Sequence, residues 1–215
     1  MLDFLSDIMQ TALRFCYDLT KTVGVPSYGI AIILLTVAIK VALYPLTVKQ
    51  VKSMKAMQEL QPRMKELQEK YKNNKEKLQK EMAALYKESG VNPLAGCLPL
   101  VVQMPFLIAI FFALRDFPYE AEHQRFLFLP NLGAEDPTYI MPALAAITTY
   151  IQSKQTMTDN SQQNKMMLVF MPLFIGYISL TFPGGLVLYW VVSNIIQIVQ
   201  QWMMYRKPAE AIKGA

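Results

Sequence analysis

The sequence predicts an all-α integral membrane protein with five transmembrane helices, a cytoplasmic helical hairpin and an N-terminal interfacial amphipathic helix. Three observations carry that expectation. Of 215 residues, 53% are hydrophobic and 17% charged, against roughly 25% charged in an ordinary soluble domain. Charge is segregated, with eleven Lys/Arg and five Asp/Glu between positions 49 and 87. Apolar runs recur at or near the length of about 20 residues that crosses a bilayer. A soluble all-α domain is the competing reading, but nothing polar covers the outer faces of several of these runs.

The first element, 1–23, sets Leu5, Met9, Leu13 and Cys16 at helical spacing between polar residues. That pattern fits an amphipathic helix lying in the outer interface; a loosely ordered leader is the alternative. No cleavable signal peptide is visible, so an outside amino terminus implies reverse-anchor insertion or an upstream targeting segment. Gly24, Pro26 and Gly29 turn the chain into a first span, 27–48. Pro45, near its inner end, kinks or stops the helix.

Segment 49–91 reads as a helical hairpin, each arm carrying a narrow apolar stripe on a charged body. Met54, Met57, Leu60, Met64 and Leu67 form one stripe, and Leu78, Met82 and Leu85 the other. Such stripes pair the arms; Met54, Met57, Met64 and Met82 are also candidate recruiting residues, since methionine accommodates varied apolar partners. A second span, 93–114, leads to an outer loop, 115–136, with Phe117, Phe126 and Phe128 expected at the interface. Asp136-Pro137 is the expected start of a third span, 137–153, with Asp136 as its cap. A loop, 154–165, a fourth span, 166–182, a tight Pro183-Gly184-Gly185 turn, a fifth span, 185–204, and a tail, 205–215, complete the chain. The two cysteines, Cys16 and Cys97, imply no disulfide framework.

Loop charge orients these elements. Positions 49–87 of the hairpin are net +6, the outer loop −3, the third connection +1 and the tail +2. Basic loops stay in the cytoplasm, so the amino terminus lies outside and the carboxyl terminus inside.

Lys40 falls within the first span. A lysine near the centre of a span costs roughly 2.5–3.5 kcal/mol on insertion scales, so it should face protein or water. Thr36, Gln103, Thr148, Thr149, Gln152, Asn194 and Gln197 are the other polar residues within spans. Asn194 and Gln197, three apart, share a helix face. Buried amides need partners or water, so several helices are expected to turn polar faces toward one hydrated cavity; interhelical hydrogen bonding that merely holds a bundle is the alternative. The chain has one histidine, His123, and neither an H-E-x-x-H metal motif nor a phosphate-binding glycine loop. Hydrolases and ATP-driven pumps are therefore poorly supported, and no cofactor is expected. The basic hairpin suits a membrane or ribosome surface better than nucleic acid, having only Tyr71 and Tyr86 interleaved. A small channel or secondary transporter, or a structural membrane subunit, stays open at this level.

Several motifs narrow the choice. Tyr44-Pro45-Leu46-Thr47, Leu60-Gln61-Pro62, Met82-Ala83-Ala84-Leu85-Tyr86-Lys87, Val91-Asn92-Pro93-Leu94-Ala95-Gly96-Cys97-Leu98-Pro99, Gln103-Met104-Pro105, Phe182-Pro183-Gly184-Gly185-Leu186-Val187-Leu188-Tyr189-Trp190 and Ser193-Asn194 occur in order along the chain. Together they resemble the YidC/Oxa1/Alb3 membrane protein insertases, specifically a bacterial YidC core without the large outer domain. The resemblance implies a five-helix core around a positively charged groove, open to the cytoplasm and laterally to lipid but closed outside. It implies insertion without nucleotide hydrolysis, alone or beside the Sec translocon, of nascent membrane proteins delivered by ribosomes and released into membrane lipids. The family's groove charge is usually arginine; the matching position here is Lys40. Gln103 matches a groove-facing glutamine, and Tyr189 and Trp190 match an aromatic pair near the substrate-contacting side of the last helix. With Tyr150 they form the expected substrate exit face.

Overall fold

The computed structural model describes residues 2–91, 98–115, 117–157 and 162–206. Cys97, the expected start of the second span and most of the tail lie outside them. Among the described residues the protein is all-α: α1 (Leu2–Thr22), α2 (Tyr28–Ala42), α3 (Tyr44–Glu59), α4 (Gln61–Lys70), α5 (Lys75–Ser89), α6 (Leu98–Arg115), α7 (Ile140–Thr156), α8 (Gln162–Ile178) and α9 (Gly184–Arg206). Two isolated β-bridges, Phe126 with Leu129 and Glu135 with Pro183, are the extended pairings.

α9 is the axis of the bundle. It packs on α2 and α7, α7 packs on α8, and α1 lies against α2 and α6. Leu13, Ile32, Ile110, Leu114, Leu129, Leu132, Val187 and Tyr189 bury side chains in one continuous core. α1 divides into three faces. Met9, Leu13, Cys16 and Tyr17 face the core; Phe4, Ile8, Phe15 and Leu19 form an exposed apolar stripe; Asp7, Arg14, Asp18 and Lys21 stand exposed beside it.

α2 begins at Ser27, whose side chain accepts the Ile30 N–H, one of the amides a helix start leaves free. It stops at Ala42, earlier than the span expected over 27–48, and the chain bends by 64° into α3. Pro45, in the first turn of α3, explains the break: it offers no N–H and its ring crowds the carbonyl four residues back. The hairpin expected over 49–91 is also redivided. α3 belongs to the body, because Val51 and Met54 pack on Met204 of α9. The free-standing hairpin is α4 and α5, joined through Asn74, which caps α5 by accepting the Lys77 N–H.

The outer loop departs furthest from expectation. Phe117 is buried in the core, and Phe126 and Phe128 are half-buried and pack against it. The Phe126 ring fills the space a Cβ on Gly29 would need. Loop carbonyls also close the end of α9: the Gly184 N–H donates to Ala134 O at 2.7 Å and the Gly185 N–H to Leu132 O at 2.8 Å. The Pro-Gly-Gly turn thus lets the loop backbone approach and satisfies helix-start amides. The third long apolar helix starts at Ile140 instead of 137, since Tyr139 adopts φ +59°, outside the helical region. Asp136 still caps it from a distance, accepting the Met141 N–H at 2.8 Å and the Thr138 N–H at 2.8 Å.

By length and composition, one helix among the described residues can cross a bilayer alone, Gly184–Tyr205. α2 and α3 qualify only if the bent pair is taken as one span, and Gln103–Arg115 and Lys165–Thr181 are apolar but shorter.

Candidate functional site

Four helices line one cavity of about 260 Å³, three of them with polar side chains. α6 supplies Gln103; α7 supplies Thr149, Gln152 and Ser153; α9 supplies Trp190, Ser193, Asn194 and Gln197; Met167, Met171 and Ile175 of α8 form an apolar wall. The cavity is amphipathic, with polar groups on three helices facing thioethers on the fourth.

Most of its polar groups are pre-positioned. Asn194 Nδ2 donates to Thr148 Oγ1 at 3.2 Å and to Thr149 Oγ1 at 3.0 Å. Trp190 Nε1 donates to the same Thr149 hydroxyl at 3.0 Å. Thr148 donates in turn to the Leu144 carbonyl of its own helix at 2.7 Å. Gln103 Nε2 donates to Tyr189 Oη at 2.8 Å, which ties α6 to α9 across the cavity edge. Nearly all of this hydrogen bonding crosses between helices, so the wall is rigid before anything enters it.

Lys40 stands behind that wall. It is 6% exposed, and its Nζ donates to Gln197 Oε1 at 3.1 Å, so the charge reaches the cavity through the amide lining it. The break after Ala42 places Lys40 in the last turn of α2, where free carbonyls and the helix dipole favour a cation. Among the described residues no acidic side chain pairs with it; Glu120 is instead paired with Lys21 and His123, away from the cavity.

Not every expected residue joins the site. Thr36 is fully buried, and its hydroxyl turns back onto the Ile32 carbonyl at 2.6 Å, so it does not line the cavity. Tyr189 is 1% exposed and points inward to Gln103, which removes it from an exit face. Trp190 lines the cavity, and Tyr150 remains exposed on α7. Met54, Met57 and Met64 are buried and Met82 half-buried; Met64 Sδ accepts from Tyr86 Oη at 3.8 Å. Met54 holds α3 to the body and Met64 ties α4 to α5, and the four offer no open recruiting stripe in this conformation.

Two residues went unread in the sequence. Ser193 looks like a helix-packing serine but lines the cavity. Gln201 is fully enclosed, and among the described residues neither its Nε2 nor its Oε1 has a hydrogen-bond partner. Its spacing was the available signal: Asn194, Gln197 and Gln201 fall at i, i+3 and i+7 on one helix face. An enclosed, unpartnered amide costs roughly 1–3 kcal/mol.

At the outer end a second polar cluster ties α1 to the loop. Tyr17 Oη donates to Glu120 Oε2 at 2.8 Å, Lys21 Nζ pairs with Glu120 Oε1 at 2.8 Å, and His123 Nδ1 lies 2.6 Å from the Tyr17 hydroxyl. The Lys21 and Tyr17 hydrogen bonds hold the Glu120 carboxyl well down, at about 2. The Asp136 carboxyl is pushed up by burial, but the hydrogen bonds from Thr138, Met141 and Ile140 outweigh that, and it too lies below the ordinary value.

An all-α bundle built around an amphipathic cavity, with a buried lysine bonded into its wall, fits the class of helical membrane proteins that keep polar groups inside an apolar bundle. The model of the 60Kd inner membrane protein family matches residues 18–211. The chain is 46% identical over 195 residues to membrane protein insertase YidC 2 of Bacillus anthracis, covering 87% of this chain and 76% of that protein. It is 44% identical over 185 residues to membrane protein insertase MisCA of Bacillus subtilis, covering 83% and 70%. Against membrane protein insertase YidC of Maridesulfovibrio salexigens the identity is 39% over 95% of this chain but only 38% of the relative, so the longer relatives carry much that this chain does not span. A solved structure described as an active YidC insertase with its first transmembrane domain resolved superposes with a TM-score of 0.73, at 26% identity, over 96% of this chain and 46% of that one. The chain belongs to the YidC/Oxa1/Alb3 family of membrane protein insertases, as a bacterial YidC-type core. Family membership displaces the channel, transporter and structural-subunit readings.

Proposed function

We propose that this insertase lodges the short hydrophilic end of a nascent membrane protein in the cavity while the apolar part of the same chain passes sideways into lipid. The observation that carries the reading is the Lys40–Gln197 bond behind a wall of prearranged hydroxyls and amides. Those groups replace part of the water shell that the entering end gives up. Lys40 adds an attraction for acidic ends, relayed through Gln197. A lysine donates from a single rotatable ammonium, so the attraction is one of charge and not of a planar two-point grip.

Lateral exit runs between α7, α8 and α9. Trp190 faces the cavity, Tyr150 stands exposed on α7, and the α8 wall of Met167 and Met171 separates cavity from lipid. Methionine walls adapt to varied side chains, which suits a site that meets many sequences. Burial of the substrate helix in lipid supplies the driving force, about 25 cal/mol per Å² of apolar surface. The work needs no nucleotide.

In the bilayer we assign five spans to α2, α6, α7, α8 and α9, with the amino terminus outside, α4–α5 and the carboxyl terminus in the cytoplasm, and α1 lying in the outer interface on its Phe4, Ile8, Phe15 and Leu19 stripe. The bilayer is the bacterial cell membrane. The α7 helix is the least apolar of the five because Thr148, Thr149 and Gln152 face inward, so neighbouring helices complete its passage. The basic hairpin meets the ribosome or anionic lipid, and the Sec translocon is an optional companion.

Site-specific photocrosslinking tests the reading, with probes at Gln103 and Tyr150 against stalled nascent chains. Length-dependent products with a membrane substrate and none with a soluble chain are expected. Their absence at every stalled length, with folded protein in the membrane, would sink it.

A further inference from the structure

We propose that the recess between α1 and the outer loop holds the headgroup of one zwitterionic phospholipid: its phosphate on Arg14, its ethanolamine ammonium on Asp18, and its acyl chains along the apolar stripe of α1. This goes beyond the insertase reading and rests on the placement of α1 in the outer interface.

The recess measures about 330 Å³, and Arg14, Tyr17 and Asp18 of α1, Tyr28 of α2, and Phe117 and Glu120 of the outer loop line it. Its floor is fixed by aromatic packing. Tyr17 and Tyr28 are buried and stack with ring centroids 3.9 Å apart, and Phe117 meets Tyr28 edge-on at 5.5 Å. The Tyr28 hydroxyl accepts the Glu120 N–H at 3.3 Å, which ties the loop to α2.

Charge selects the occupant. Glu120 is already taken: its carboxylate pairs with Lys21 at 2.8 Å and accepts from Tyr17. Arg14 and Asp18 stand exposed one turn apart on α1, and among the described residues neither is in an ion pair. Base before acid is the weaker order for a pair four residues apart. The guanidinium lies instead over the Phe117 ring, 5.8 Å from its centroid. Among the described residues the recess thus offers a free cation and a free anion side by side. An anionic headgroup would satisfy Arg14 and oppose Asp18. A phosphate and an ammonium joined by a two-carbon linker satisfy both, the planar guanidinium gripping two phosphate oxygens.

Position makes the ligand a lipid. Phe15 and Leu19 directly follow Arg14 and Asp18, so the apolar stripe borders the charged pair around the helix. Phe15 is 64% exposed and Leu19 45%. Acyl chains laid on that stripe carry their headgroup to the recess, whereas free phosphoethanolamine leaves the stripe uncovered.

The test uses the full-length protein in nanodiscs of equal parts phosphatidylethanolamine and phosphatidylglycerol. A trace of one lipid or the other carries an acyl-chain diazirine, and photolabelled α1 peptides are quantified by mass spectrometry. Labelling by the ethanolamine lipid should exceed labelling by the glycerol lipid at least threefold. Arg14→Gln should abolish the preference, and Asp18→Asn, which leaves the recess positive, should turn it toward the glycerol lipid. Both side chains are exposed, and melting temperatures check that the variants keep the fold. Soluble glycerophosphoethanolamine should not compete. Equal labelling by the two lipids, a preference unchanged in either variant, or full competition by the soluble headgroup overturns the proposal and leaves the insertase reading untouched. No labelling of α1 by either lipid removes its placement in the interface and this inference with it.

Discussion

The ammonium of Lys40 donates to the side-chain oxygen of Gln197 at 3.1 Å, joining the last turn of α2 to the polar face of α9 across a separation of 157 residues. The bond gives an intramembrane charge its partner and points that partner, not the charge itself, into the cavity.

Replacing Lys40 with methionine keeps the stem's apolar volume and deletes the charge. Thermal stability in detergent should hold or rise, because burying an ion pair or lone ion is seldom a net gain. Insertion of substrates with acidic translocated ends should fall at least tenfold in a depletion background, with neutral-ended substrates affected less. Equal loss for both classes would show that Lys40 acts through packing.

Gln197→Leu should be the more damaging change to the fold, since it strands Lys40 without an acceptor. Losing a hydrogen bond to a buried charge costs about 1.5–3 kcal/mol. Adding Lys40→Met should recover most of that loss, because the double variant has nothing left unpaired. Calorimetry of the two single variants and the double variant measures this coupling directly.

The outer latch makes a pH prediction. Glu120 sits at about 2 in the folded protein against 4.5 for a free carboxyl. A depressed carboxyl contributes its stabilisation fully above about 4.5 and loses it as pH falls toward 2. Unfolding temperatures taken from pH 7 down to pH 2.5 should therefore fall less steeply for Glu120→Gln than for the parent. Tyr17→Phe should flatten the curve partly, leaving the Lys21 contact in place.

Gly29→Ala places a methyl where the Phe126 ring lies. The loop must shift, at about 1–3 kcal/mol for an overpacked site. Thiol labelling at a cysteine placed at the buried loop position Leu132 should speed up only if the loop's seat has loosened. Phe126→Ala combined with Gly29→Ala should restore much of the lost stability, since the ring that clashes is gone.

The helices, the hairpin charge and the polar residues within apolar runs were readable because each is a local pattern: periodicity, composition or a proline at a boundary. Thr148, Thr149, Asn194 and Gln197 could be nominated from their positions in apolar runs, and the structure joins the first three directly. Thr36 could not be excluded, because its hydroxyl has a partner within its own helix that any buried threonine might equally lack. Tyr189 and the hairpin methionines were placed on open faces, and their burial depends on α6, α9 and α3 approaching from far along the chain. Phe126 likewise reads as an interfacial aromatic until Gly29 is seen to make room for it.

The sequence by itself determined that the chain is helical and membrane-embedded, which loops are basic and that a lysine must be sheltered, because length, hydropathy and charge act residue by residue. Only the tertiary structure decided which amide shelters that lysine, that α3 belongs to the body and that Gln201, among the described residues, is left without a partner. Those facts depend on which helix faces meet, and packing between distant segments leaves no local trace in the order of residues.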